Sequence, residues 1–318
     1  MDCTGQIFDV ERFSTVDGPG IRTVAFLKGC NLHCDWCHNP EGYQTGPQLM
    51  YDETQCMRCG GCVQVCPRQV HRLDGDTHRM DWKRCIACFR CAAVCPGGAL
   101  KQAGKSWTAE ELCRELLQDL PFFQESGGGV TLSGGEVMCQ QEFAGQVLRR
   151  LHRQGVHTAI ETNLCFPIED YRKLRPEVDL MMFDLKSTQE EAHRRYTGVS
   201  NEQILFNVKA LSGDDWREMP LIARTPVVPG FNDTEEEISA IAARLTEHRN
   251  LLYYELLAYH PLGINKKAQL GKEAGKALPI PSKERMETLA AAAARYLPHV
   301  KVNGVSRQEG ALKHGVQL

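Results

Sequence analysis

One cysteine pattern occurs twice in this chain, and it restricts the fold more than any other feature. Cys56-x2-Cys59-x2-Cys62-x3-Cys66-Pro67 returns as Cys85-x2-Cys88-x2-Cys91-x3-Cys95-Pro96, a period of 29 residues. The chain has fifteen cysteines in 318 residues, which in a short secreted protein would suggest disulfides. Here most of them stand in clusters at ligand spacing, the pattern expected of a reducing compartment. Residues 1 to 20 carry Asp2, Asp9, Glu11 and Arg12 where a secretory leader would be apolar. No apolar run approaches the roughly 18 residues that span a bilayer. A cytoplasmic protein with no membrane contact is expected.

Each run has the spacing of the bacterial ferredoxins, in which the fourth cysteine of one run ligates the cluster held by the other. This assigns Cys56, Cys59, Cys62 and Cys95 to one iron–sulfur cluster, and Cys85, Cys88, Cys91 and Cys66 to a second. Pro67 and Pro96 are then turn residues. A pair of structural zinc sites is the alternative, and eight cysteines in this doubled arrangement count against it. Residues 50–102 are therefore expected to form an inserted bacterial ferredoxin-like domain with two [4Fe-4S] clusters.

Upstream, Cys30-Asn-Leu-His-Cys34-Asp-Trp36-Cys37 sets three thiols at intervals of four and three residues. A four-iron cube takes four thiolates, so a three-ligand loop leaves one iron open to another molecule. Zinc would need a closed set of four ligands, with His33 and His38 the nearest candidates. The stretch Arg22–Lys28 before the loop is apolar and β-branched enough for a buried strand, which puts the loop at a strand's C-terminal end, where barrel active sites lie. Asp17-Gly-Pro-Gly-Ile-Arg22 reads as a turn. Cys3, Cys113, Cys139 and Cys165 have no ligand spacing and receive no role.

Beyond the insert, Thr108-Ala-Glu-Glu111 reads as a capping box opening a helix to about residue 120. Strands are expected at Val130–Ser133, His157–Glu161, Asp179–Asp184, Leu221–Thr225 and Leu252–Leu257, with helices near 140–154, 188–211 and 234–247. With the strand before the thiol loop this makes six β/α units, and a segment near His299–Val305 extends the sheet. Strands alternating with helices imply a parallel sheet. The fold class is therefore α/β, a partial (β/α)6 TIM-like barrel built from residues 1–49 and 103–318 and open on one side. At 318 residues with 42% hydrophobic content, one large core plus a small module is the expected organisation. A net charge of −3 without a basic patch gives no support to nucleic-acid binding.

Several strands end in polar residues that a core strand has no use for. Ser133-Gly134-Gly135-Glu136 pairs two glycines that permit close backbone approach to a ligand with a carboxylate able to accept from an ammonium group. Glu161-Thr-Asn163, Asp184-Leu-Lys186, Arg224 and His260 close the next strands in turn.

The loop C-x3-C-x2-C with Trp36 before its last cysteine resembles the signature of the radical S-adenosylmethionine enzymes. With Asp17–Arg22, the ferredoxin insert, Ser133–Glu136, Asp184–Lys186, Arg224-Thr-Pro-Val-Val-Pro-Gly230 and Glu255–His260, nearly the whole chain resembles the glycyl radical enzyme activating enzymes, in the subgroup with two extra clusters. The resemblance implies three [4Fe-4S] clusters, the site cluster being held by Cys30, Cys34 and Cys37. It implies S-adenosylmethionine as cosubstrate, surrounded by Trp36, Gly134, Gly135, Glu136, Lys186, Arg224 and His260. Glu161 and Asp184 match positions that flank a monovalent cation, and Asp17 would touch the protein substrate. The implied reaction reductively cleaves S-adenosylmethionine to a 5′-deoxyadenosyl radical, which abstracts an α-hydrogen from a backbone glycine of a partner glycyl radical enzyme. A flavodoxin or ferredoxin type electron donor and a monomeric state go with it. The alternatives are a radical enzyme acting on a small molecule or peptide, and an electron-transfer protein fused to an inert barrel. Peptide-modifying relatives carry auxiliary clusters toward the C-terminus, whereas here no cysteine follows Cys165.

Overall fold

The computed structural model describes residues 3–306. Its strands, in chain order, are β1 (Thr4–Ser14), β2 (Arg22–Leu27), β3 (Gln48–Tyr51), β4 (His71–Asp74), β5 (Thr77–Met80), β6 (Leu100–Ala103), β7 (Lys105–Thr108), β8 (Gly129–Gly134), β9 (His157–Thr162), β10 (Leu180–Asp184), β11 (Leu221–Val227), β12 (Leu251–Ala258), β13 (Val300–Val302) and β14 (Val305–Ser306). Ten of them form one sheet in the order β14-β13-β12-β11-β10-β9-β8-β2-β1-β7. From β2 through β8 to β13 every pairing is parallel, and from β8 onward each strand lies beside the next in sequence. Parallel neighbours need crossovers, and helices such as Gln141–His152, Ile168–Leu174 and Glu235–Arg244 supply them.

All six expected strands are present, and Val300–Val302 extends the sheet as anticipated. Two antiparallel strands, β1 and β7, were not legible as such. In β1 only Gly5, Ile7 and Ser14 are buried; from Phe8 to Phe13 half-buried and exposed residues alternate, and Asp9, Glu11 and Arg12 interrupt the apolar positions, so no continuous apolar run marks the strand. The helix expected over 188–211 is two helices, Glu190–Thr197 and Glu202–Ala210, parted at Gly198, whose φ of 85° suits a left-handed C-cap. The capping box forms as read. Thr108 accepts from the Glu111 backbone, and the Glu111 side chain accepts from the Thr108 backbone.

The period-two geometry of strands divides the two faces of the sheet. On one face, Leu132, Ile160, Met181, Phe183, Leu221 and Ala223 pack under the helices in the main core. On the other, Ala159, Leu180, Met182 and Ile222 form a small apolar floor. Two residues further along these strands the same face becomes polar, with Glu161, Asp184, Arg224 and Glu255 in neighbouring registers. The floor closes one end and leaves the polar end as the mouth.

Residues between β3 and β6 form a small unit whose two ends pair antiparallel with each other. Its apolar centre gathers Leu49, Cys91 and Leu100 with Tyr51, Val65, Met80, Trp82 and Phe89. The 29-residue sequence repeat is also a backbone repeat. Arg58 and Ala87, Gly60 and Phe89, and Gln69 and Gly98 all have positive φ. No helix among the described residues is long and apolar enough to cross a membrane.

Thr108 caps the helix that carries the chain from the insert back to the sheet. Thr108→Ala is expected to cost about 1 kcal/mol, read as a lower urea midpoint with an unchanged slope.

Candidate active site

The thiol loop leaves the C-terminal end of β2 and is held by backbone on several sides. Gly29 donates to Gly42 O at 2.7 Å, His33 N to Thr197 O at 2.8 Å and Asp35 N to Tyr196 O at 3.0 Å. Tyr43 Oη donates to Cys34 O at 2.7 Å, and Lys267 Nζ to Asp35 O at 2.6 Å. Burial pushes all three thiols up, Cys34 to about 12, and Cys37 adds to the shift at both Cys30 and Cys34. The buried ammonium of Lys186 acts the other way on Cys34 and Cys37. Three thiols, one buried and two half-buried, close enough to feel one another's charge and beside a buried cation, suit a ligand that takes them as thiolates. Neither histidine needed by the zinc reading is drawn to them: His33 packs on Tyr43 at 5.0 Å and His38 meets His260 edge-on at 4.5 Å.

Gly134 and Gly135 make the close approach that the sequence suggested, but to the chain itself. A Cβ on Gly134 would lie 2.4 Å from Leu27 N, and one on Gly135 would lie 2.2 Å from Gly29 O. The turn is thereby clamped under the thiol loop. Glu136 is 1% exposed, and its carboxylate accepts from Met138 N (3.1 Å), Thr162 Oγ1 (2.7 Å) and Asn163 N (2.7 Å). Asn163 Nδ2 in turn donates to Asn31 Oδ1 at 2.8 Å and lies 3.9 Å from Cys30 Sγ. The carboxylate expected to take an ammonium group thus already holds three internal donors.

The remaining polar strand ends converge. Arg224 donates to Glu161 at 2.7 Å, to Glu255 at 3.1 Å and to the Val16 carbonyl, and its guanidinium lies 4.0 Å from Asp17. Although burial opposes it, the Arg224 charge leaves Glu161 below its ordinary pKa, whereas burial and the Glu161 charge push Asp17 up. Lys186 pairs with Asp184. Both carboxylates expected beside a monovalent cation therefore already face a cationic side chain. Trp36 does not stand alone against a ligand. Its ring packs 4.7 Å from Phe231 and 6.5 Å from Tyr196.

In the insert, Cys56, Cys59, Cys62 and Cys95 line one cavity, with Tyr51, Gly60, His78 and Gly97 around them. Cys91 feels the charges of Cys85 and Cys66. Cys95 of the second run thus lies with Cys56, Cys59 and Cys62, and Cys66 of the first run lies near Cys91. Non-glycine residues at positive φ, such as Arg58 and Ala87, are costly. Loops of this kind turn successive N–H groups inward and suit an anion.

Several contributors escaped the sequence reading. Tyr43, Lys266, Lys267 and Lys272 brace the thiol loop from outside. Lys266 reaches Asn39 at 2.9 Å and Glu41 at 2.7 Å, and Lys272 lies 4.9 Å over the Tyr43 ring. Tyr43 lies just beyond the thiol loop and the three lysines in a short helix and loop far along the chain, and no spacing rule links them to the thiols. His71 and His78 stand between the two cysteine runs, a position that could have marked them.

Three clustered thiols at the mouth of a parallel sheet, backed by a polar layer and a second set of eight thiols, define an α/β metalloenzyme. The pattern of the Radical SAM superfamily matches residues 82–242, that of a 4Fe-4S dicluster domain matches residues 48–96, and that of a 4Fe-4S single cluster domain matches residues 16–64. Among solved structures, a domain of pyruvate-formate lyase-activating enzyme from Bacteroides vulgatus is 29% identical over 54% of this chain and 95% of that one, with a TM-score of 0.45. The (2S)-3-sulfopropanediol sulfolyase activating enzyme of Bilophila wadsworthia is 39% identical over 85% of this chain and 89% of that protein. The 4-hydroxyphenylacetate decarboxylase activating enzyme of Clostridioides difficile is 40% identical over 85% of this chain and 86% of that protein. On the superfamily match and these two relatives, the chain belongs to the radical S-adenosylmethionine superfamily, among its glycyl radical enzyme activating enzymes. It is an activase that generates a 5′-deoxyadenosyl radical from S-adenosylmethionine and uses it on a glycine of a partner enzyme.

Burial pushes the Glu136 carboxyl from 4.5 up to about 7. As pH rises from 4.5 to about 7 the unfolded chain loses this proton before the folded one, so stability supplied below that window is withdrawn across it. Unfolding midpoints of the wild type are expected to fall over this window, and the slope to flatten in Glu136→Gln. An identical slope in both would show that the carboxyl is ionised in the folded protein throughout.

Proposed function

We propose that the chain carries three [4Fe-4S] clusters: one on Cys30, Cys34 and Cys37, one on Cys56, Cys59, Cys62 and Cys95, and one on Cys66, Cys85, Cys88 and Cys91. The observation that carries this reading is the three-thiol loop beside the buried ammonium of Lys186, with all four thiols of the second set lining one cavity. When bound, the first cluster supplies the electron that splits S-adenosylmethionine.

This chain's residues then bind and orient. Lys186, buried beside Cys34 and raised in pKa by Asp184 against the cost of burial, is the cation placed to meet the methionine carboxylate. Arg224, held by three acidic neighbours, sits deeper and fixes Glu161 and Asp17 in the mouth. The Gly134–Glu136 turn supports the methionine amino group through its backbone, its carboxylate serving Asn163. Trp36 and His260 form aromatic walls, joined by Phe231 and His38. A monovalent cation beside Asp184 would compete with Lys186 for that carboxylate. Asp17 faces the glycine-bearing loop of the partner. Excluding water from this mouth protects a primary radical from side reactions, and holding the glycine close supplies orientation.

In this reading residues 1–49 and 103–318, of which 1–2 and 307–318 lie outside the described residues, belong to a partial (β/α)6 barrel, and residues 50–102 to a ferredoxin-like domain. The uninterrupted parallel run β2-β8-β9-β10-β11-β12 and the end-to-end pairing of β3 with β6 support that division. The protein works as a cytoplasmic monomer reduced by a flavodoxin or ferredoxin type donor.

Anaerobic reconstitution with iron and sulfide is expected to give about twelve irons per chain, and reduction with S-adenosylmethionine to give 5′-deoxyadenosine. Cys34→Ala should keep about eight irons and form no 5′-deoxyadenosine. Cleavage by that variant would overturn the assignment of the site cluster.

A further inference from the structure

The two halves of the insert share a backbone but not their polar groups. Around the Cys56 set, the His78 ring lies between two thiols, with Nδ1 3.7 Å from Cys56 Sγ and Nε2 3.7 Å from Cys62 Sγ. His71 Nδ1 stands 3.1 Å from His78 Nε2. Tyr51 meets the His78 ring edge-on at 4.6 Å. Its hydroxyl is buried without a hydrogen-bond partner among the described residues, and it lies beside Cys56. A buried phenol without an acceptor is costly, and cluster sulfur at Cys56 would supply the acceptor.

The tautomers follow from the same distances. If His78 carries its proton on Nδ1, it donates to Cys56 Sγ, and His71 Nδ1–H donates to His78 Nε2. This leaves His71 Nε2, which is buried and without a partner, as an empty acceptor. The opposite assignment would leave a buried N–H donor there, the rarer kind of orphan. The chain His71→His78→Cys56 is therefore the satisfied one.

The other set has no counterpart. Shifting by the 29-residue repeat turns Tyr51 into Met80, His71 into Leu100 and His78, taken in the reverse direction, into Leu49. All three replacements are apolar and lie in the insert's apolar centre with Cys85 and Cys91. The donors to that set are backbone N–H groups, from Val70 to Cys66 Sγ at 3.3 Å and from Ala92 at Cys91. Among the described residues no side-chain donor contacts Cys66, Cys85, Cys88 or Cys91.

A hydrogen bond to a thiolate sulfur stabilises the more negative, reduced cluster over the oxidised one, and so raises its potential. We propose that His78, oriented by His71 and joined by Tyr51, sets the potential of the cluster on Cys56, Cys59, Cys62 and Cys95 above that of its partner cluster. One electron delivered to the pair then rests on the His78 side, and the apolar side is the stronger reductant. This rests on the three-cluster reading above. His78 is a positioning residue, acting through the thiolates.

The test is a redox titration followed by electron paramagnetic resonance on reconstituted full-length protein. His78→Leu is expected to make the reduction equilibrium of one auxiliary cluster about tenfold less favourable, a shift of about 59 mV for one electron, with the other two clusters unmoved. His78→Gln, which keeps an N–H donor, should recover most of the shift. Full iron content with no potential moved in His78→Leu overturns the inference and leaves the three-cluster reading standing. Wild-type protein that binds only about four irons overturns that reading and this inference together. Should His78→Leu lose iron, Tyr51→Phe decides: a smaller shift of one auxiliary cluster in the same direction supports the inference, and no shift overturns it.

Discussion

The carboxylate of Glu136 joins the three segments on which the site depends. It leaves the end of β8 with its backbone N–H on Gly29 O, and so touches the root of the thiol loop. Its two oxygens take donors from Thr162 and Asn163 at the end of β9, and Asn163 returns to Asn31 and Cys30. A charge this buried is tolerated only with its acceptor positions filled. Removing any donor would leave the others around an uncompensated group. The requirement that holds Glu136 in place therefore also fixes the distance between the loop and the second and third parallel strands.

A second charged assembly sits beside the first and is built differently. Arg224 faces Glu161, Glu255 and Asp17, three carboxylates around one guanidinium. Burial and the Glu161 charge raise Asp17, while Arg224 holds Glu161 below its ordinary pKa against the cost of burial. Lys186 and Asp184 form a separate pair nearer the thiols. The mouth thus grades from a cation beside the cysteine loop to a set of acids near the turn that precedes β2. A zwitterionic cosubstrate would find both signs of charge available, in a fixed order.

The insert shows a repeat whose geometry is kept while its chemistry diverges. Matching positive-φ residues in the two halves bend the cysteine loops alike, so both thiol sets receive the same backbone. The differences fall on the side chains facing the sulfurs: histidine and tyrosine on one side, leucine and methionine on the other. Contacts from Gln269 to Asp52, and the close packing of Gly271 on Trp82, tie both halves to the segment that also carries Lys266, Lys267 and Lys272. Cluster module and thiol loop are thus braced by one stretch of chain.

Sequence alone determined what depends on covalent spacing or local periodicity: the two repeated cysteine runs, the three-thiol loop, the six parallel strands and the Thr108 capping box. Each is encoded within a few residues, where ligand spacing, apolar runs and cap chemistry act directly. Strand β1 was hidden because Asp9, Glu11 and Arg12 break its sequence into no continuous apolar run, while its place between β2 and β7 is set by long-range pairing. Gly134 and Gly135 were recognised as close-approach residues, but only the fold revealed that the approach is to Leu27, Gly29 and Gly42. Which carboxylate is free and which is already bonded was likewise decided in three dimensions. Glu136, Glu161 and Asp184 look alike along the chain and differ in their donors, which distant strands bring to Glu136 and Glu161 and the neighbouring Lys186 brings to Asp184. His78 owes its place between two thiols to a hairpin folded back over the first cysteine run, a contact set by long-range packing that no local spacing records.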